Sequence, residues 1–319
     1  MLKYRYYIFF VIILDQFKIL GAFRQFKTCA ICRRILTDSV IISCLLVNSA
    51  ENGNVWQLLL AYMKKKGVMN MVPPSVSLCC IGTGDAFGSG GRLNSCFHLA
   101  AAGEQILLDC GCSSLIGMQR CGIIPAEIDT VVVSHLHGDH FGGIPYLLLE
   151  GKYASRRTRP LTLIGPPGLQ QRVEVAAEAL YPGLLSKKFN FPIEYLLLDP
   201  KKPLQINSAQ IECFQVKHGK SQHVYGLRVE ISGKIISYTG DTEWTANLVP
   251  LAQGSDLFIA ECFSYDQPVP SHLDYLTLLR KKNQLGCQKM VLTHMGPAML
   301  ARTDQLELET LHDGEIIIL

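Results

Sequence analysis

The chain has 319 residues, of which 48% are hydrophobic and 18% are charged, and its formal net charge is +3. This length and hydrophobic content suit one large globular domain with an appendage, and they exclude a chain too polar to bury a core. Nucleic-acid-binding proteins usually carry a strongly basic face, and the weak net positive charge of this chain does not indicate one, although it does not exclude one.

Residues 1–70 differ in pattern from the remainder and are predicted to be an N-terminal extension, with the globular domain spanning 71–319. The apolar run 6–14 is far shorter than the roughly 20 residues that cross a bilayer. The run 35–47 is interrupted by polar residues and lies too far from the start to be a signal peptide. We therefore expect no membrane partner, and we interpret the extension as a disordered leader, a targeting segment or a part absent from the mature protein.

The chain contains 12 cysteines, most of them in apolar runs that are typical of strands. A disulfide framework is normally small, even-numbered and rich in loops, whereas this chain is large and has nine cysteines, an odd number, from Cys79 onward. Cys29 and Cys32 form a single C-x-x-C with no second pair, which does not predict a zinc site. The cysteines are interpreted as reduced, mostly buried thiols, and the protein is expected to be cytoplasmic.

The globular part begins with a predicted strand at 76–81 and a glycine-rich loop at 82–91. This loop lacks the Lys-Ser/Thr ending of a phosphate-binding P-loop, so we predict a plain turn at the rim of a site. A hairpin is predicted over 95–101 and 105–108. Later helices are predicted at 113–121, 144–153, 169–179 and 273–282, and later strands at 160–164, 193–198, 209–216, 225–231, 234–238, 256–260, 289–292 and 315–319. Two mixed sheets packed face to face, with helices outside, would accommodate this order.

A dense cluster of metal-ligand side chains follows the apolar run 128–133. Residues 134–140 contain the pattern H-x-H-x-D-H, formed by His135, His137, Asp139 and His140. Neutral imidazole and carboxylate are the ligands that zinc and similar divalent ions prefer. The alternating spacing places the first two histidines on one side of an extended loop, while the Asp-His pair can face a second ion.

Three further candidate ligands stand at the ends of predicted strands. They are His218, Asp241 and His294. Site residues collect at strand ends because the sheet positions them rigidly while the adjoining loops admit substrate. His223 remains an alternative to His218, which is preferred because it directly follows a strand.

The motifs together resemble the metallo-β-lactamase-fold hydrolases, whose signature matches Asp109, the 134–140 loop, His218, Asp241 and His294. The resemblance covers the chain from about residue 76 onward. It implies an α/β (α+β) fold, namely a four-layer αββα sandwich of two mixed β-sheets with outer helices. It also implies a site for two divalent metal ions, with zinc the first choice and manganese or iron as alternatives.

The same resemblance implies a role for each residue of the site. One ion would take His135, His137 and His218, the other Asp139, His140 and His294, and Asp241 would bridge them. Asp109 would hold a ligand imidazole from behind, although an ordinary turn aspartate remains an alternative. The implied nucleophile is a hydroxide that bridges the two metals, with Asp139 orienting it or accepting its proton.

Within this group the chain is most similar to the branch of phosphodiesterases that includes the transfer-RNA 3′-processing endonuclease tRNase Z. That likeness implies that His272 donates a proton to the leaving oxygen and that Glu261 orients it, although a solvent-exposed histidine at a helix start is the alternative. Ser271 is predicted to cap the helix that carries His272.

The long arm with which that endonuclease grips transfer RNA has no counterpart between His218 and Asp241. We therefore expect a small-molecule or nucleotide-like phosphodiester substrate rather than transfer RNA. A carboxylic or sulfate ester, thioester or lactone hydrolase is the alternative enzyme, and a non-catalytic metal- or nucleic-acid-binding module is a remote one. A homodimer is an open alternative to a monomer. The basic residues in 152–159 are interpreted as a solvated charge run or as an attractor for phosphate.

Overall fold

The computed structural model describes residues 76–319. The predicted extension at 1–70, its boundary with the globular domain and the C-x-x-C pair lie outside the described residues. Within the described part of the chain, no helix is both long and apolar enough to cross a membrane.

The described residues form 14 strands and seven α-helices. The strands are β1 Ser77–Gly82, β2 Cys96–Ala101, β3 Glu104–Leu108, β4 Thr130–Val132, β5 Leu161–Gly165, β6 Ile193–Leu197, β7 Leu204–Ile206, β8 Ala209–Gln215, β9 Tyr225–Ile231, β10 Lys234–Tyr238, β11 Leu257–Glu261, β12 Met290–Thr293, β13 Glu309–Thr310 and β14 Ile316–Ile318. The helices are α1 Ser114–Arg120, α2 Gly138–Phe141, α3 Ile144–Tyr153, α4 Leu169–Leu180, α5 Leu248–Ala252, α6 Tyr275–Leu285 and α7 Pro297–Leu300.

The strands form two mixed sheets of seven strands each. The first has the order β14-β1-β2-β3-β4-β5-β6, in which β3 to β6 are parallel. The second has the order β13-β12-β11-β10-β9-β8-β7, in which β10 to β13 are parallel. Both sheets therefore combine the predicted early hairpins with the strand–helix alternation that produces parallel pairs.

The inner faces of the two sheets share one hydrophobic core. Phe97 from the first sheet and Tyr238 from the second are fully buried, with ring centroids 5.2 Å apart in an edge-to-face arrangement. Burying a side chain of this size contributes roughly 1.5–3 kcal/mol. Two further cores lie under the helices on the outer faces. The layers are therefore helix, sheet, sheet and helix, which confirms the predicted αββα sandwich.

The helix predicted over 273–282 begins two residues later and ends three residues later. Asp274 is its N-cap, because its carboxylate accepts a hydrogen bond of 2.8 Å from the amide of Thr277. The prediction that Ser271 caps this helix was therefore wrong. The two short strands β7 and β13 were not predicted, since two or three residues are too few to show an alternating pattern.

The fold brings the ends of several strands to one edge of the sandwich. Strand β4 leads into the 134–140 loop, and β8 leads to His218. Strands β10 and β12 lead to Asp241 and His294. Because the carboxyl ends of parallel strands lie at the same edge of a sheet, residues far apart in sequence meet there.

Candidate metal centre

Three imidazoles form the first group of potential ligands. Nδ1 of His137 lies 3.1 Å from Nε2 of His135 and 3.0 Å from Nε2 of His218. His135 and His218 are buried, while His137 is exposed. Three ring nitrogens therefore converge on one point, and the structure brings His218, not His223, to this group.

The second group contains Asp139, His140, Asp241 and His294. Nε2 of His140 lies 3.2 Å from one carboxylate oxygen of each aspartate, and Nε2 of His294 lies 3.3 Å from the same two oxygens. A tetrahedral ion with ligands at about 2.0–2.1 Å separates its ligand atoms by about 3.3 Å. The spacing of these four pairs therefore matches that of ligands around a tetrahedral ion.

The two oxygens of Asp241 face different groups. Oδ1 belongs to the second group, at 3.2 Å from His140 and 3.3 Å from His294. Oδ2 lies 4.0 Å from Nε2 of His135 and 3.9 Å from Nε2 of His218, which places it toward the first group. One carboxylate thus spans both sets of ligands.

Nε2 of His140 and Oδ1 of Asp241, both buried in the second group, have no hydrogen-bond partner among the described residues, and neither does Nδ1 of His294. An unpaired buried acceptor is costly, so such atoms need a partner that the protein itself does not supply. The surrounding donor set is imidazole and carboxylate, which suits zinc, manganese and iron. The residues therefore fit divalent metal ions.

Asp109, at the end of β3, binds residues of the metal-ligand loop on the side away from the ligand atoms. Its Oδ2 lies 2.6 Å from Nδ1 of His140, and its Oδ1 accepts a hydrogen bond of 2.7 Å from the amide of Ser134. The hydroxyl of Ser134 donates to Oδ2 at 2.8 Å. These contacts leave Nε2 of His140 free to face the metal group. Ser134 was not identified from the sequence, because no spacing rule marks a serine that binds a carboxylate 25 residues away.

Burial and charge set the protonation of the potential ligands. Burial lowers the pKa of His135 well below its usual value, and the neighbouring imidazole of His140 lowers it further. Burial also lowers the pKa of His218. Burial opposes ionisation of Asp241, but His140 and His294 outweigh it and hold the pKa of that carboxyl well below its usual range. Neutral imidazole and ionised carboxylate are the forms that bind metal.

The surroundings of His140 show an excess of negative charge. Burial disfavours the protonated imidazole, yet the carboxylates of Asp241, Asp109 and Asp139 together raise the pKa of His140 well above its usual value. The three carboxylates are negative enough to favour a proton on a fully buried imidazole. A divalent cation can neutralise the same negative charge.

Glu261 and His272 form a pair beside the metal ligands. Nδ1 of His272 lies 3.1 Å from Oε2 and 3.3 Å from Oε1 of Glu261, which is fully buried at the end of β11. The amide of Thr242 also donates to Glu261. Burial, followed by the charge of Asp241, raises the pKa of Glu261, while burial lowers the pKa of His272. The pair therefore lies beside the metal ligands, with the ring of His272 near those of His218 and His294.

The ring of His272 is also stacked on Phe263, with centroids 4.8 Å apart and an interplanar angle of 29°. Phe263 was not identified from the sequence, since a single phenylalanine after a strand gives no functional signal. Its ring reaches Gly296, where an added Cβ would lie 3.1 Å from the phenylalanine ring. The glycine therefore leaves room for the stack.

The interpretation of the basic residues in 152–159 is wrong for Lys152 and Arg157, which are buried, whereas Arg156 and Arg159 are exposed. Nζ of Lys152 donates to the carbonyls of Leu184 and Lys187, and the buried Arg157 donates to several backbone carbonyls, including that of Ile128 at 2.5 Å. These two cations therefore hold loops together and are neither a solvated charge run nor free to attract phosphate. His223 lies apart from the metal groups, with Nδ1 at 3.3 Å from the hydroxyl of Tyr225.

The chain is similar in sequence or in fold to several known proteins. The ribonuclease Z of Agathobacter rectalis is 25% identical over 283 residues, which cover 72% of this chain and 91% of that protein. The metallo-β-lactamase-fold protein YhfI of Bacillus subtilis superposes with a TM-score of 0.64 at 20% identity, covering 77% of this chain and 100% of that one. The short form of human tRNase Z superposes with a TM-score of 0.62 at 23% identity, covering 76% of this chain and 98% of that one.

These relatives confirm the predicted metallo-β-lactamase fold and the predicted class of enzyme, a metal-dependent hydrolase similar to ribonuclease Z. Residues 76–314 match the family model described as anti-Pycsar protein Apyc1. Since the match covers most of the sequence, the chain belongs to that family.

Proposed function

We propose that the protein is a dinuclear metal-dependent phosphodiesterase that acts on a small, nucleotide-like phosphodiester. The observation that carries this proposal is the carboxylate of Asp241, which directs one oxygen to each of two separate groups of ligands. The name of the relatives at 25% identity, ribonuclease Z, supports a phosphodiester as the bond that is cleaved.

The ligand groups suggest how two ions would be held. His135, His137 and His218 would bind one ion, and Asp139, His140 and His294 the other, with Asp241 shared. Zinc suits the donor set and the tetrahedral spacing, and manganese or iron are alternatives. Ions held there would lower the pKa of a water molecule toward neutrality and offset the charge on phosphoryl oxygens.

Asp139 would also act on the attacking water, because it adjoins both the other ligands and the accessible side of the site. Its side chain is 10% exposed, whereas those of Asp241 and His140 are 3% and 0% exposed. A carboxylate in this position can orient the attacking water and accept its proton.

His272 would donate a proton to the leaving oxygen. Glu261 binds Nδ1 of His272, so the other ring nitrogen is the one that can serve the substrate. The ring centroid of His272 lies 4.8 Å from that of His218 and 5.7 Å from that of His294. The proposed acid therefore stands next to both metal groups, where a leaving oxygen would depart.

The expected size of the substrate follows from the segment between His218 and Asp241. Apart from the short loop 219–224, this segment consists of β9, β10 and the turn between them, with no inserted arm among these described residues. An arm that grips a large folded RNA would need such an insertion. We therefore favour a small phosphodiester over transfer RNA.

A substrate panel tests the proposal. The metal-loaded protein should hydrolyse bis-p-nitrophenyl phosphate faster than p-nitrophenyl acetate, p-nitrophenyl sulfate, a thioester or a lactone, and Asp139→Ala should abolish that activity. Asp304→Ala, at an exposed position, is the matched control. Faster turnover of the ester, thioester or lactone would overturn the phosphodiester assignment. Turnover of none of them would support a non-catalytic module.

A further inference from the structure

Ser271 has an unusual backbone conformation next to the metal centre. Its φ is +73°, in the left-handed region that residues other than glycine, asparagine and aspartate seldom adopt. Such conformations persist only where the surrounding contacts hold them, and they occur often at functional sites. The residue precedes α6 and does not cap it, so helix geometry does not account for this conformation.

The conformation of Ser271 directs two of its groups onto the loop that begins with His218. The carbonyl oxygen accepts a hydrogen bond from Nδ1 of His218 at 2.8 Å. The hydroxyl accepts a hydrogen bond from the amide of Gly219 at 2.9 Å. A single residue thus holds both the imidazole and the backbone of a segment that lies more than 50 positions earlier in the chain.

The bond to the carbonyl decides which nitrogen of His218 faces the ligands. With the proton on Nδ1 and directed at Ser271, Nε2 carries the lone pair and lies 3.0 Å from Nδ1 of His137. A metal-binding histidine is usually held in this way by an acceptor on its far nitrogen. Ser271 therefore selects the tautomer in which His218 can bind a metal.

The next residue in the chain is His272. Its backbone amide donates to the carbonyl of Val269 at 3.1 Å, and its ring lies against the ring of His218 at an interplanar angle of 72°. A displacement of Ser271 would move both histidines together, because one is its neighbour in sequence and the other is its hydrogen-bond partner.

We propose that Ser271 is a positioning residue that couples the metal ligand His218 to the proton donor His272. This inference rests on the proposed function for the role of His272 as an acid. The part that concerns His218 rests on the hydrogen bonds alone. The hydroxyl fixes the amide of Gly219 and so keeps the carbonyl of Ser271 aligned with Nδ1 of His218. Loss of the hydroxyl should loosen this alignment and weaken metal binding and proton donation in the same variant.

Two substitutions separate positioning from stability. Ser271→Ala removes the hydroxyl and keeps the strained conformation, so it should lower both stability and function. Ser271→Gly also removes the hydroxyl but relieves the strain, because glycine adopts positive φ readily. The glycine variant should be more stable than the alanine variant and still show the functional defect. Ser221→Ala, at an exposed position in the loop that follows His218, is the matched control.

The first measurement is zinc affinity, determined by competition with a chromophoric chelator. We expect both Ser271 variants to bind zinc about 10-fold more weakly, within the range known for partners of metal-bound histidines. Long-range ¹H–¹⁵N spectra should show the Nδ1–H tautomer of His218 in the wild type and a mixture of tautomers in the variants. Unchanged zinc affinity and an unchanged tautomer in both variants would overturn the inference.

The second measurement is the rate with leaving groups of different basicity. Both variants should lose more rate on a dialkyl phosphodiester, which can only expel an alkoxide, than on bis-p-nitrophenyl phosphate, which expels a stable phenolate. If wild type hydrolyses phosphodiesters and His272→Ala shows this selective loss while the Ser271 variants do not, only the coupling inference fails. If His272→Ala shows no selective loss, the proposed function of His272 fails instead, and the zinc measurement still decides the contact with His218.

Discussion

The carboxylate of Asp109 lies 2.6 Å from Nδ1 of His140, and both side chains are completely buried. The same carboxylate binds the amide and the hydroxyl of Ser134, at the start of the metal-ligand loop. Asp109 has a φ of +57°, a left-handed conformation that aspartate tolerates better than most residues. The end of β3 therefore supports the 134–140 loop through one side chain.

Asp109→Asn should weaken metal binding while the protein remains folded. An amide offers one acceptor oxygen in place of two and removes the charge that holds the proton of His140. Loss of such a partner typically costs about 10–100-fold in metal affinity. Competition with a chelator measures this, and Asp304→Asn is the control. An affinity equal to that of the wild type, with the circular dichroism spectrum unchanged, would show that Asp109 is only a turn residue.

Asp241→Asn should reduce the number of bound metal ions. The wild-type carboxylate offers one oxygen to each ligand group, whereas an amide presents only one good ligand atom. We expect two ions per chain in the wild type, at most one in the variant, and a loss of activity of at least about 100-fold. Elemental analysis by mass spectrometry gives the stoichiometry. Two tightly bound ions in the variant would contradict the bridging role.

The loss of hydrolysis rate in His272→Ala should depend on the leaving group of the substrate. General acid catalysis contributes about 10²–10⁴-fold when the departing oxygen needs a proton. We expect a loss of this size for a phosphodiester that expels an alkoxide, and a much smaller loss for bis-p-nitrophenyl phosphate, whose leaving group is stable as an anion. Equal losses on both substrates would indicate that the imidazole does not act as the acid. Glu261→Gln should show the same selectivity, because Glu261 orients the ring.

His98 should make the fold sensitive to acid. It is buried on β2, where Nε2 lies 2.7 Å from Oε1 of Gln105, and burial lowers its pKa from 6.5. The pKa of His98 is lower in the folded protein than in the unfolded chain, so the unfolded chain binds more protons once the pH falls below about 6.5. The protein therefore loses stability as the pH falls from 6.5 toward the folded pKa.

Comparison with His98→Gln isolates this contribution, since the metal-linked groups are common to both proteins. The wild-type free energy of unfolding, relative to the variant, should fall below pH 6.5 by up to about 1.4 kcal/mol per pH unit. Urea denaturation at pH values between 5 and 8 measures the difference. A difference that stays constant or grows toward low pH would contradict the lowered pKa.

The ligand-rich part of the site could be predicted because it is local. The H-x-H-x-D-H spacing places four side chains within six residues, so their capacity to bind metal can be recognised without knowledge of the fold. His218, Asp241 and His294 could be added because each follows a recognisable strand, and the parallel strands bring them to one edge.

The contacts that could not be predicted depend on backbone conformation or on the partners of a charge. The sequence does not show that Asp274 caps α6, which shifts the helix start and frees Ser271 to bind His218. It also does not show that Lys152 and Arg157 are bound to backbone carbonyls. A basic side chain looks the same in sequence whether it faces solvent or a buried carbonyl.

The most direct test of the dinuclear hydrolase is to restore metal to protein that has been stripped with a chelator. Zinc is added in steps while hydrolysis of bis-p-nitrophenyl phosphate is followed at each ratio of metal to chain. We expect no activity without metal and a plateau at two equivalents. Full activity in the metal-free protein, or a plateau already at one equivalent, would contradict the two-metal mechanism.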